Sequence, residues 1–475
     1  MRVLAVASEC FPLVKTGGLA DVVGALPAAL AAHGVAVTTL LPGYPAVRAA
    51  LAEACEIGSV PEGRLVAGRA GALDLVTFDA PALFDRPGDP YRRPDGADWP
   101  DNALRFAALA RAAAAIATGR TALPRFDLLH AHDWQAGLAP AYLAFAPGPR
   151  VPSVLSVHNL AFQGQFGAEL FPALGLPAEA FAVDGVEYYG GVGFLKAGLH
   201  YADRIITVSP TYAREIATPE GGMGLDGLIR ARKDRITGIV NGIDIEVWSP
   251  ETDAALPRRY DIGTLSLRAH NRAAVEAAFG LGPGPGPLFA VVSRLTWQKG
   301  IDLIAEALPL LLGAGGRLAL LGTGDAALEG AFLAAAASHP GRVGVRISFD
   351  EALSHLMFGG ADAVLVPSRF EPCGLTQLYG LRYGCVPVVS RVGGLADTVI
   401  DANAAALEAG VATGIQFFPV TASALGAAIL RAAELFADGE AWAGMQRAGM
   451  RADLSWSRRA GAYAAVFRAA CAAGA

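Results

Sequence analysis

Three things are scarce in this 475-residue chain, and each scarcity narrows its role. Cysteine is the first. Cys10, Cys55, Cys373, Cys385 and Cys471 form no Cys-x-x-Cys pair and no even framework. Neither a disulfide scaffold nor a metal site is expected, and a reducing cytoplasm is the setting this usage implies. Positive charge is the second. The net charge is −6 and no basic run offsets it, so nucleic acid is not an expected partner. Long apolar stretches are the third. The chain is 53% hydrophobic with a mean hydropathy of +0.39, but much of that is alanine, which favours helices. The most apolar helix-like stretch, Ala107 to Ala117, contains Arg111 and is too short to span a bilayer. The opening residues, Met1 to Ser8 and then Glu9, read as a buried strand rather than a signal peptide. No membrane partner is expected.

Glycine is plentiful instead, at 57 residues, which suits many tight strand–helix turns. Gly17-Gly18-Leu19-Ala20-Asp21 recurs unchanged as Gly393-Gly394-Leu395-Ala396-Asp397. Each copy follows a strand-like run, opens a helix-like one and has a cation two residues upstream, Lys15 or Arg391. Glycines let backbone N–H groups approach an anion, and a helix N-terminus adds positive potential.

A chain of this length needs more than one core. Strands are expected at Val3–Ala7, Val35–Leu41, Leu73–Phe78, Leu128–His130, Val154–Val157 and Ile205–Val208, with helices between, most clearly Asn102–Ala117 and Gln135–Phe145. Strands apolar throughout and separated by helices imply parallel sheets covered on both faces. The pattern breaks at the turn-rich Ile239–Pro250 and resumes after the Pro/Gly linker Gly282–Pro287. The expected fold is α/β: two doubly wound, Rossmann-like domains facing each other across a cleft. Their expected bounds are 1–245 and 246–454, followed by a helix over 455–475. Ligands of such sheets bind beyond the C-terminal strand ends.

Six segments at those ends carry chemistry. Lys15-Thr16-Gly17-Gly18 reads as an anion turn or as a helix start with a solvated lysine. Arg294 and Lys299, in one loop after a strand, could neutralise a diphosphate or lie in solvent. Gly322-Thr323-Gly324-Asp325 is a weaker turn of the same kind. In Pro367–Gln377, Glu371 could hold sugar hydroxyls, and the N–H groups of Gly374, Leu375 and Thr376 could hold phosphate. Cys373 has no histidine placed by sequence to activate it as a nucleophile. His130-Ala131-His132-Asp133 fits polar residues at a cleft rim better than a metal cluster, and His158-Asn159 also ends a buried strand.

Together these segments resemble the bacterial glycogen synthases and plant starch synthases, glucan synthases that use ADP-glucose. Val240-Asn241-Gly242-Ile243-Asp244 and the second Gly-Gly turn match as well, in the family's order, over nearly the whole chain. The resemblance implies a glycosyltransferase-B fold, with the glucan acceptor on the first domain and ADP-glucose on the second. It also implies a last helix that crosses back to the first domain. Carried over by position, Lys15 and Gly18 face the donor phosphates, and Arg294 and Lys299 hold the diphosphate. Glu371, Cys373, Gly374, Leu375 and Thr376 hold glucose and phosphate. Asp133, His158, Asn159 and Asn241 line the sugar site, and Tyr91 matches a family tyrosine. Glu371, Lys299, Arg294, His158 and Asp133 form the implied catalytic set. Phe349 stands where many members have a tyrosine near the adenine. Tyr379 stands where other retaining enzymes of this fold have a second Glu. No cofactor is implied; the expected partners are ADP-glucose and an α-1,4-glucan.

Overall fold

The computed structural model describes residues 1–473, which separate into two compact units. The first contains Met1–Gly242 and the helix Trp456–Ala473, and the second is Ile243–Ser455.

The first unit is built on strands β1 (Arg2–Val6), β2 (Ala36–Pro42), β3 (Ala52–Val60), β4 (Gly63–Ala70), β5 (Leu73–Asp79), β6 (Leu128–His132) and β7 (Ser153–Val157). A small sheet follows from β8 (Gln165–Phe166), β9 (Glu187–Tyr188) and β10 (Gly191–Gly193), and then come β11 (Arg204–Thr207) and β12 (Ile236–Gly238). The main sheet runs β12-β11-β7-β6-β1-β2-β5-β4-β3. It is parallel from β12 to β5, and β5, β4 and β3 form an antiparallel edge. The apolar β1, β6 and β7 occupy its middle because helices cover both faces there. Register fixes what emerges at the C-terminal edge. His132 lies opposite Ser156, so Asp133 and His158 leave neighbouring strands close together.

The helix Gly18–Ala31 presents Val22, Leu26 and Leu30 to the same core as Ala460, Tyr463, Ala464 and Phe467 of the helix Trp456–Ala473. Both sets recur at three- and four-residue spacing, as a packed helix face requires. Phe467 is fully buried. Phe467→Ala is expected to cost ~3–5 kcal/mol of stability, read by chemical denaturation.

The second unit's sheet is wholly parallel: β13 (Leu288–Val292), β14 (Arg317–Leu321), β15 (Val343–Arg346), β16 (Ala363–Val366), β17 (Val386–Ser390) and β18 (Ile415–Phe417). The order β15-β14-β13-β16-β17-β18 reverses between β13 and β16. Such a switch point opens a crevice at the C-terminal strand ends. The loops carrying Arg294 and Glu371 leave these two strands.

One expected element is broken. The helix expected over Gln135–Phe145 is a short 3-10 turn, Trp134–Ala136, and then a helix Ala139–Ala144. A Cβ at Gly137 would lie 2.4 Å from the Phe194 carbonyl oxygen, and Pro140 suits only a first helical turn.

Candidate active site

Glu9 follows β1 and is buried, a site residue that the sequence reading did not single out. Its Oε2 accepts the N–H groups of Thr16 (2.5 Å) and Gly17 (3.2 Å). Its Oε1 accepts the Thr16 hydroxyl (2.6 Å) and the Tyr91 hydroxyl. The Gly-Gly turn therefore already holds an anion, and it belongs to the protein. Lys15 Nζ lies 2.8 Å from Asp21 Oδ1, so the repeat's own aspartate neutralises the upstream cation. Gly18 opens the helix Gly18–Ala31. With Thr16 and Gly17 given to Glu9 and Lys15 paired with Asp21, the turn offers a ligand less than the sequence pattern implied.

Asp133 has a backbone φ of 54°, a region uncommon for residues other than glycine. Its Oδ1 accepts the His158 N–H at 2.7 Å. Burial pushes its carboxyl up to about 7, and the Glu9 charge adds to that against bonds from the His158 and Asn159 backbone. Asn159 Oδ1 caps its own turn by accepting the Ala161 N–H at 3.0 Å. Asn241 is buried in the same unit, and its Oδ1 has no hydrogen-bond partner among the described residues.

The two strand histidines differ from the expectation of a cleft rim. His130 and His132 are 2% and 1% exposed. His130 Nε2 meets Ser156 Oγ at 2.7 Å and its ring packs 5.0 Å from Phe467. His132 Nδ1 meets His158 Nε2 at 3.0 Å. Burial lowers His130 to about 3 and His158 to about 4, and takes His132 well below the usual range. Such histidines are neutral in the fold but protonate when unfolded. Their contribution is complete above the unfolded value near 6.5 and is lost as pH falls toward 4. Lowering pH from 7 to 5 is expected to remove about 1–2 kcal/mol per histidine, seen as a falling urea midpoint.

In the second unit, Lys299 Nζ and Glu371 Oε2 are 2.6 Å apart, and Ser368 Oγ donates to the same oxygen at 2.8 Å. Glu371 is 6% exposed. Arg294, on the loop after β13, is exposed, and its guanidinium has no hydrogen-bond partner among the described residues. Arg369 is spent structurally: it pairs with Asp302 and lies 4.5 Å over the Trp297 ring. Gly374, at φ 74°, and Leu375 lead into the helix Thr376–Tyr383, whose first N–H groups have no helical partner. Cys373 is buried, and its carbonyl accepts from Gln377 Nε2 at 3.0 Å. Phe349 is 83% exposed, an open aromatic face. Tyr379 stacks 3.6 Å on Trp248, whose far face meets His355 at 3.8 Å. The position of a second Glu elsewhere is here a packing aromatic.

The second Gly-Gly turn braces this loop. Gly394 N–H donates to the carbonyls of Glu371 (3.0 Å) and Pro372 (3.1 Å). A Cβ on Gly393 would lie 2.0 Å from the Glu371 oxygen, and one on Gly394 2.2 Å from the Cys373 oxygen. Only glycine permits that approach. Gly393→Ala must displace the Glu371 backbone; a ~10²-fold loss of kcat is expected in initial-rate assays.

Loops at strand ends that carry a cation, a buried carboxylate and an open helix start suit anionic, sugar-like groups. The family described as "Starch synthase catalytic domain" matches residues 2–231, and "Glycosyl transferases group 1" matches residues 278–436. Glycogen synthase of Novosphingobium aromaticivorans is 60% identical over 99% of this chain and 98% of its own. Glycogen synthase of Rhodopseudomonas palustris strain CGA009 is 58% identical, with 98% of both chains covered. The catalytic domain of starch synthase IV from Arabidopsis thaliana, bound to ADP and acarbose, superposes with a TM-score of 0.87. It is 28% identical, with 99% of each chain covered. Sucrose-phosphate synthase from Thermosynechococcus elongatus shares the fold at 19% identity, with a TM-score of 0.62 and 99% of each chain covered. The chain belongs to the glycogen synthase family, with the glycosyltransferase-B fold. No helix among the described residues is long and apolar enough to cross a membrane.

Proposed function

We propose that the protein transfers glucose from ADP-glucose to the 4-hydroxyl at the non-reducing end of an α-1,4-glucan, keeping the α configuration. The observation that carries this reading is the pair of half-buried Lys299 and buried Glu371 beside the helix start at Gly374–Thr376. A cation, a carboxylate and free N–H groups at one loop suit a group that is part sugar and part diphosphate.

As the bond to the leaving diphosphate breaks, negative charge builds on its oxygens and positive charge on the sugar ring. Lys299, Arg294, Lys15 and the N–H groups of Gly18, Gly374, Leu375 and Thr376 answer the first charge. Glu371, with Cys373 at its side, holds glucose. Asp133, His158, Asn159, Asn241 and Tyr91 serve the sugar and acceptor, and Phe349 stacks on the adenine. No side chain takes the role of a covalent nucleophile; the acceptor hydroxyl attacks on the face from which ADP leaves, and its proton goes to the departing phosphate.

Donor choice is the first test. Labelled glucose incorporation into glycogen, with ADP-glucose and UDP-glucose side by side, should favour ADP-glucose at least ~10-fold in kcat/KM. Equal use of both would remove the adenine assignment of Phe349. A glycosyl adduct trapped on any side chain would end the front-face mechanism.

A further inference from the structure

The Glu9 carboxylate is the least expected polar group in the first unit. It is 2% exposed, and among the described residues no basic side chain bonds to it. Its bonds instead come from four neutral donors, two backbone N–H groups and two hydroxyls. A buried carboxylate is costly unless such donors surround it, and a carboxylate with two oxygens accepts all four. The donors come from distant parts of the chain. Thr16 and Gly17 lie seven and eight residues on, and Tyr91 lies 82 residues on. Ser8 Oγ completes the set at 2.8 Å from the Tyr91 hydroxyl. Because that hydroxyl already donates to Glu9, Ser8 is its donor.

We propose that Glu9 is the positioning residue of the first unit's site: it fixes the Lys15–Gly18 turn and the Tyr91 ring in one arrangement before any substrate arrives. Its placement rests on the observed bonds, and its effect on catalysis rests on the ADP-glucose reading above. Two consequences separate it from a generic core contact. First, Thr16 and Gly17 cannot offer their N–H groups to a donor phosphate, so the turn meets the donor through Gly18 and Lys15 alone. Second, the two oxygens are not equivalent. The N–H groups at Oε2 can only donate, whereas the hydroxyls at Oε1 can rotate and accept. Glutamine therefore fits by turning its carbonyl to Thr16 and Gly17 and its amide to the hydroxyls. Alanine leaves both N–H groups buried without a partner.

Glu9→Gln and Glu9→Ala, each as the full chain, test this in two ways. Amide hydrogen exchange over residues 12–20 needs no substrate. The turn is expected to exchange ~10-fold faster in E9A and only slightly faster in E9Q. Initial rates should show KM for ADP-glucose raised about fivefold in E9Q and more in E9A, with a smaller rise in KM for glycogen that comes through Tyr91 alone. A purely structural residue would lower the active fraction and leave both KM values alone. Unchanged exchange in E9A would overturn the proposal, and so would faster exchange with a parental KM for ADP-glucose. Should the parent protein fail to use ADP-glucose, the donor reading falls, and the exchange result still decides whether Glu9 holds the turn.

Discussion

Lys299→Ala is expected to lower kcat/KM for ADP-glucose by ~10³-fold while the protein stays folded. Two losses add. The substitution removes a fixed cation from the place where diphosphate charge develops; removing one such donor costs ~10²–10³-fold. It also strips Glu371 of its 2.6 Å ion-pair partner in a site where that glutamate is 6% exposed. A buried carboxylate without its partner no longer keeps one position, and the sugar loses its fixed acceptor. Ser368, at 2.8 Å, still holds one Glu371 oxygen, which is why the loop is expected to survive. Lys299→Ala and Glu371→Gln should be strongly non-additive, because each single change already spoils the other group. A double variant whose loss equals the product of the two single losses would show that the pair does not act as a unit.

Asp133→Asn carries the second large effect, and it acts in opposite directions on stability and activity. The folded-state value of about 7 stands above the usual aspartate value of 3.8. Between those values the unfolded chain has released its proton and the folded chain keeps it. The folded state thus becomes less favourable as pH rises from about 4 to 7, and the penalty is constant above that. Asparagine has no proton to lose, still accepts the His158 N–H through its carbonyl, and, with the same shape, meets the same backbone strain as aspartate. Asp133→Asn is therefore expected to be more stable than the parent at pH 8, by up to ~4 kcal/mol. The gap should close toward pH 4. Comparing the two proteins at each pH cancels the histidine effect, which runs the other way. Activity should fall at least ~10²-fold, since the sugar site loses its carboxylate. A parent that is the more stable protein at pH 8 would show that Asp133 is not held in an unfavourable charge state.

Much of this was legible in the sequence because apolar runs and turn residues mark buried parallel strands directly. Val3–Val6, Leu128–Leu129 and Val154–Val157 are continuous apolar or small segments, and each is a central strand. The hairpin β3–β4 was not legible. Ala52–Val60 has mostly exposed residues, with only Ile57 buried, so no periodic signal stands out. The glycine repeat was visible as a motif, but its two tasks were not. The first copy lies against Glu9 and pairs Lys15 with Asp21, and the second braces the backbone of Glu371. The second task is set by contacts across 22 or 23 residues, and the first by a turn that folds Gly17 back onto Glu9 eight residues earlier, neither of which the motif itself encodes. His130 and His132 were visible as a cluster, yet whether they face a site or a core depends on the helix Trp456–Ala473, more than 300 residues on. Glu9 had one faint signal: an acid just past an apolar strand, followed by a Gly-Gly turn rich in N–H donors.

The most direct measurement uses ADP-glucose labelled in its glucose, with glycogen as acceptor. ADP release and polymer-bound label are counted together for the parent and for Lys299→Ala. The expected result is one glucose bound per ADP released, in a product that an α-1,4-glucan hydrolase removes, with the variant slower by ~10³-fold. ADP release without polymer-bound label, or equal rates in the two proteins, would contradict the assignment of this site.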